Sequence, residues 1–127
     1  MNKFVIKGRL NGLNEYTNKN RRNPYAGAKM KKDNETIVIH YIKCFKLKKV
    51  DKYPIKIKID WYEKNRKRDI DNITFATKFI LDGIVKAEIM QNDSQKYVNE
   101  IEHHIYIDKD NPRIEVSLIY WFCLEFN

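Results

Sequence analysis

The sequence predicts an α+β fold: a mixed sheet of about four strands with two main helices packed on it, in the order β-α-β-α-β-β. Three observations carry this. From Pro54 to Glu63, Ile55, Ile57, Ile59 and Trp61 alternate with Lys56, Lys58 and Asp60, the period of a half-buried strand. Two segments, 26–47 and 72–88, space their apolar residues at helical intervals. The C-terminal third holds two more alternating stretches, 98–107 and 113–122, joined by a Pro-containing turn.

Residues 3–10 read as the first strand, with Gly8 near its end. Asn11 to Tyr16 is rich in Asn and Gly and reads as a loop. Pro24 suits the opening of the first helix, whose inward stripe is expected at Met30, Ile37, Tyr41 and Cys44 or Phe45. Lys29, Lys31 and Lys32 form a solvated face early in it. After a basic turn and the 54–63 strand, Asp71 or Asn72 caps the second helix, which buries Ile73, Ala76, Ile80 and Ile84. Gly83 sits inside that helix, where it costs about 1 kcal/mol relative to Ala, so close packing is its expected reason. Asp108 to Pro112 is a turn, and the strands on either side are expected to pair as a hairpin.

A chain of 127 residues is one domain's worth, 1–127, and buries roughly two-thirds of its unfolded surface without a disulfide or structural metal. The net charge of +8 favours an anionic partner, nucleic acid before a membrane surface. Cys44 and Cys123 stand far apart with no Cys-x-x-Cys, which argues against a thiolate zinc site and for small packed side chains in a reducing compartment. No signal-like or membrane-length apolar run is present, so a cytoplasmic location is expected.

The chemistry-bearing stretch is Arg68-Asp69-Ile70-Asp71-Asn72, preceded by Lys64, Arg66 and Lys67 and followed, past the helix, by Asn92-Asp93-Ser94-Gln95. Four cations beside carboxylates make sense if the cations hold a polyanion and the acids hold a metal. Phosphodiester hydrolysis needs that pairing, because a metal ion neutralises phosphate oxygens and activates water. Mg²⁺ takes oxygen ligands, and Asp69, Asp71 and Asp93 are the candidates. Asp-x-Asp alone is a weak signal. Both acids could equally pair with Arg66 and Arg68, or complement the helix N-terminus. Lys78 follows Asp71 by two helical turns and suits charge stabilisation at phosphate; its bland role is an ion pair with Asp82. His103 and His104 are neighbours on a strand and face opposite ways, so neither they nor His40 suggests a metal site.

The chain resembles the RusA-like Holliday junction resolvases, often carried by prophages. The resemblance rests on Arg68-Asp69-Ile70-Asp71-Asn72, on Lys78 with Asp82-Gly83-Ile84, and on Asn92-Asp93-Ser94-Gln95, and more weakly on Leu13 to Tyr16 and 21–32. It implies a Mg²⁺-dependent endodeoxyribonuclease, with Mn²⁺ as a substitute, that nicks four-way junctions symmetrically as a homodimer in recombination and repair. Asp69, Asp71 and Asp93 fall on the family's metal-binding acids. The family's lysine stands four residues after the second acid, where this chain has Phe75. Lys78 keeps the spacing to Asp82 and Asp93, as a three-residue insertion near the helix start would leave it. Asn92 replaces the first acid of the family's Asp-Asp pair. Arg21, Arg22, Lys64, Arg66, Lys67 and Arg68 would hold backbone phosphates. The rival reading is a non-catalytic basic DNA-binding module of a phage or mobile element.

Overall fold

The computed structural model describes residues 2–120 of the chain. Its elements are β1 (Asn2–Lys7), α1 (Leu13–Arg22), α2 (Pro24–Cys44), β2 (Ile55–Glu63), α3 (Ile70–Thr74), α4 (Thr77–Lys86), β3 (Val98–Ile107) and β4 (Arg113–Tyr120). The strands form one mixed sheet in the order β1-β4-β2-β3. β4 runs antiparallel to β1 and β2, and β3 runs parallel to β2. The alternation in β2 has the consequence expected of it: Ile55, Ile57, Ile59 and Trp61 are buried. They join Phe4 and Ile6 of β1 and Ile114, Val116 and Leu118 of β4 in one core with Val38 and Ile42 of α2 and Phe79, Ile80 and Ile84 of α4. No described helix is long and apolar enough to cross a membrane.

The expected hairpin between 98–107 and 113–122 does not form. β2 lies between β3 and β4 and pairs with both. The short turn permits this because stepping over one strand spans only about 9.5 Å, well within five extended residues. Residues 121 and 122 of the expected last strand lie outside the described residues. The first strand ends at Lys7 rather than residue 10, because Gly8 at φ 79° turns the chain out of the ladder.

The helices differ from expectation in three ways. A helix, Leu13–Arg22, begins inside the Asn11 to Tyr16 stretch whose Asn and Gly content predicts a loop. In α2 the buried positions are Gly27, Asn34, Glu35, Val38 and Ile42, while Ile37, Cys44 and Phe45 are exposed. Polar Asn34 and Glu35 stand in the inward stripe, so counting apolar residues finds the wrong face. Asn34 is satisfied there by Asn11, donating Nδ2 to its side-chain oxygen at 2.8 Å and accepting its backbone N–H at 3.0 Å. Third, the expected 72–88 helix is two helices. At the join, Ala76 N–H bonds to Ile73 O and Lys78 N–H to Phe75 O, tight i→i+3 contacts that break the regular ladder. The predicted stripe of Ile73, Ala76, Ile80 and Ile84 is nevertheless buried. Gly83 has the role expected of it, since a Cβ there would stand 2.6 Å from Val38 Cγ1.

Candidate functional site

Asp69 occupies the N-cap of α3, and Asp71 lies in its first turn. The cap therefore falls two or three residues earlier than Asp71 or Asn72. Both carboxylates are exposed, and neither forms an ion pair among the described residues. Asp71 Oδ1 accepts only the neighbouring Asn72 N–H, at 2.9 Å. The bland pairing with Arg66 and Arg68 is absent. Arg68 turns the other way and grips Glu63, the last residue of β2, through Nε at 2.9 Å and Nη2 at 2.8 Å. Glu63 is buried, and this two-point contact satisfies both its oxygens. Arg68 thus pins the segment after β2 and aims Asp69 and Asp71 outward. Lys64, Arg66 and Lys67 remain exposed beside it without a carboxylate partner among the described residues.

Asn72 is a residue whose role the sequence did not disclose. The first backbone N–H groups of a helix need acceptors, and Gly12, the N-cap of α1, has no side chain to offer. Asn72 supplies it from 58 residues away: its Oδ1 accepts the Asn14 N–H at 3.0 Å. Glu15 closes the cap by accepting the Gly12 N–H at 3.1 Å. Glycine is required at 12 because a Cβ would stand 2.7 Å from Asn72 O and 3.0 Å from its Cγ. The start of α1 and the acid segment are thereby one seam. Arg21 and Arg22 lie exposed in the last turn of α1, about 15 Å along it from that seam.

Asp93 is not beside the other two acids. It follows α4, near Asp82, Lys86 and Asn92. Ten residues of α4, roughly 15 Å of helix, separate the two ends. Glu35 lies in the same pocket with 2% exposure, its Oε1 2.6 Å from Lys86 Nζ. Lys78 is exposed on α4, and Asp82 pairs with Lys31 at 3.5 Å instead of with it. Because α3 and α4 are distinct helices, the seven-residue count from Asp71 no longer places Lys78 on one continuous face. His103 accepts the Trp61 Nε1–H at 3.0 Å and His104 contacts Glu102, on opposite faces as expected.

The RusA endodeoxyribonuclease family matches residues 13–119. The chain belongs to the RusA family. RusA proteins are endodeoxyribonucleases that resolve Holliday junctions, and their chemistry depends on a divalent metal. The match begins at the first residue of α1 and takes in both acid segments, so it contains Asn72 and starts one residue after Gly12. No curated protein matches the chain. Whether these residues suit a metal is a question of donor chemistry and placement. Exposed, unpaired carboxylate oxygens suit Mg²⁺, which keeps several waters and shares substrate phosphates. Within one chain, however, no group of three or more His, Cys, Asp or Glu among the described residues is placed to hold a metal. Asp69 and Asp71 supply carboxylate donors of that chemistry, two residues apart at the start of α3.

Proposed function

We propose that this chain is a Mg²⁺-dependent, structure-selective endodeoxyribonuclease that resolves four-way DNA junctions as a homodimer. One endonuclease domain spans 1–127. The observation that carries the reading is the acid segment itself: two exposed carboxylates, held outward by the Arg68–Glu63 contact, beside three cations, all five without an ion pair among the described residues. Their stability role is confined to complementing the N-terminus of α3, where Asp69 makes no side-chain cap bond and Asp71 accepts only the Asn72 N–H, and that leaves carboxylate oxygens open to a ligand. Asp69, Asp71 and Asp93 would hold Mg²⁺, with Mn²⁺ as a substitute. The metal, when bound, supplies an activated water and neutralises phosphate oxygen.

The chain's own groups do the rest. Lys64, Arg66 and Lys67 hold backbone phosphates near the acids, and Arg21 and Arg22 hold them farther out, which fixes the duplex arm without reading its sequence. Lys78 stabilises charge on the leaving oxygen. Arg68 is best assigned to positioning, because its guanidinium is occupied by Glu63. Three acids that do not meet within one chain need Asp93 from a second copy if all bind one ion, which agrees with a dimer making two symmetric nicks.

The test is strand cleavage of a synthetic four-way junction beside a linear duplex of equal length. Wild type and Asp71→Asn are compared with Mg²⁺, with Mn²⁺ and with chelator. Paired nicks in the junction alone, from wild type with metal alone, are expected. Asp71→Asn retains junction binding and loses cleavage. Binding without nicks under every metal would instead favour the non-catalytic DNA-binding module.

A further inference from the structure

β3 is an edge strand, and among the described residues β2 is its only ladder partner. Its outer row of backbone N–H and C=O groups is open to another strand. In the ladder Ile57, Ile59, Trp61 and Glu63 stand beside Ile101, His103, Ile105 and Ile107, on the same face of the sheet. On β2 that face is sealed, with Ile57 and Ile59 at 0% exposure. On β3 Ile101 remains 36% and Ile107 44% exposed. The helical layer stops short of the edge and leaves core-side isoleucines bare. A scattered surface isoleucine is ordinary, but a core-side row along an open edge is an association surface.

We propose that β3 pairs antiparallel with β3 of a second copy, about a two-fold axis through His103. The register follows from charge. Directly opposed residues in such a pair share a face, so the axis must pass through a residue. Centred on His103, Ile101 opposes Ile105 and Glu102 opposes His104, each twice. Moving the axis to Glu102 sets the two Glu102 side chains against each other. Moving it to His104 sets Glu100 against Asp108. Opposed carboxylates are unfavourable and opposed Glu–His and Ile–Ile pairs favourable, so one register stands out.

The proposal rests on the homodimeric reading above and names its surface. It also gives that reading a geometry. Antiparallel pairing lays the start of one β3, just after Asp93, beside the end of the other. That end is where β2, the parallel neighbour of β3, hands the chain on toward Asp69 and Asp71.

The experiment uses the full chain with Cys44→Ser and Cys123→Ser, into which Ile101→Cys and Ile105→Cys are placed singly and together. Opposed Cα atoms in the pair stand about 4.5–5.5 Å apart, within disulfide range. Within one strand the two positions are roughly 13 Å apart and do not react. A reducible two-chain band from the double variant, absent from both singles, is expected. Sedimentation of wild type should give the two-chain mass, and Ile101→Lys, at an exposed position, the one-chain mass with an intact cooperative melt. A wild-type monomer at every concentration overturns the proposal and the dimer together. A two-chain mass without the cross-link overturns this surface and leaves the dimer standing. A cross-linked dimer that never cleaves DNA upholds the surface while the nuclease reading fails.

Discussion

Replacing Gly12 by alanine perturbs the seam between α1 and the acid segment at one atom. The backbone at 12 has φ −97°, which alanine adopts freely, so the whole effect comes from space. The added Cβ would meet Asn72 O at 2.7 Å and Asn72 Cγ at 3.0 Å, and one of these is rigid backbone. Relief requires α1 and α3 to part, which costs about 1–3 kcal/mol of overpacking. Parting also breaks the Asn14–Asn72 bond at 3.0 Å, worth about 1 kcal/mol as a helix cap. The sum is about 2–4 kcal/mol, which lowers the melting temperature by roughly 10 °C in a chain of this size. Asn72→Ala alone loses only the cap, about 1 kcal/mol. The double variant recovers part of the alanine penalty, because Asn72 O still crowds the new Cβ. Urea and thermal melts of the four proteins, followed by circular dichroism, measure this cycle. Gly12→Ala within about 0.5 kcal/mol of wild type would refute the seam.

Arg68→Met strands a buried Glu63 carboxylate and should cost about 3 kcal/mol in a urea melt, whereas Arg66→Ala leaves stability unchanged. In salt titrations of junction binding, alanine at Lys64, Arg66 or Lys67 each reduces the log–log slope by about 1, as a phosphate contact demands. Lys78→Ala lowers single-turnover cleavage on the order of 100-fold without weakening binding. Hydrogen bonds from Lys56 and then His104 hold the Glu102 carboxyl down at about 2, below its ordinary 4.5. Its depressed value stabilises the folded state above about pH 5 and that contribution is lost as pH falls toward 2. Urea midpoints of wild type and Glu102→Gln should therefore converge across that window. A difference independent of pH would refute it.

Local rules made much of the fold legible. β2 shows its alternation because one face is buried and the other is not, and Gly83 stands out because a helix bears its cost only for contact with Val38. Legibility fails where a partner distant in sequence settles the matter. α1 looks like a loop because its cap acceptor is Asn72. The inward stripe of α2 is misread because Asn11 and Lys86 make Asn34 and Glu35 tolerable inside. The β3–β4 link has the length of a hairpin turn, and nothing local reveals that β2 is inserted. In the site, Asp69 and Asp71 are visible as a spaced pair. The distance to Asp93 depends on which way α4 points, and spacing along a chain carries no such vector. The helix break at Phe75 and Ala76 coincides with the place where the lysine spacing departs from the family pattern, so that irregularity was visible before its shape was.

The pairing of β1 with β4 has a consequence for synthesis. β1 leaves the ribosome before every other described strand and, among the described residues, finds its only ladder partner in β4, Asn2 against Leu118 and Lys7 against Arg113. At translation rates of about 5–20 residues per second, Phe4 and Ile6 wait roughly 6 to 20 seconds without a docking site. During that interval a nascent apolar strand is offered to any holdase at the tunnel mouth. The sheet closes only when β4 has been made and folds back along β1, so this ladder forms after the β2–β3 pair can already exist.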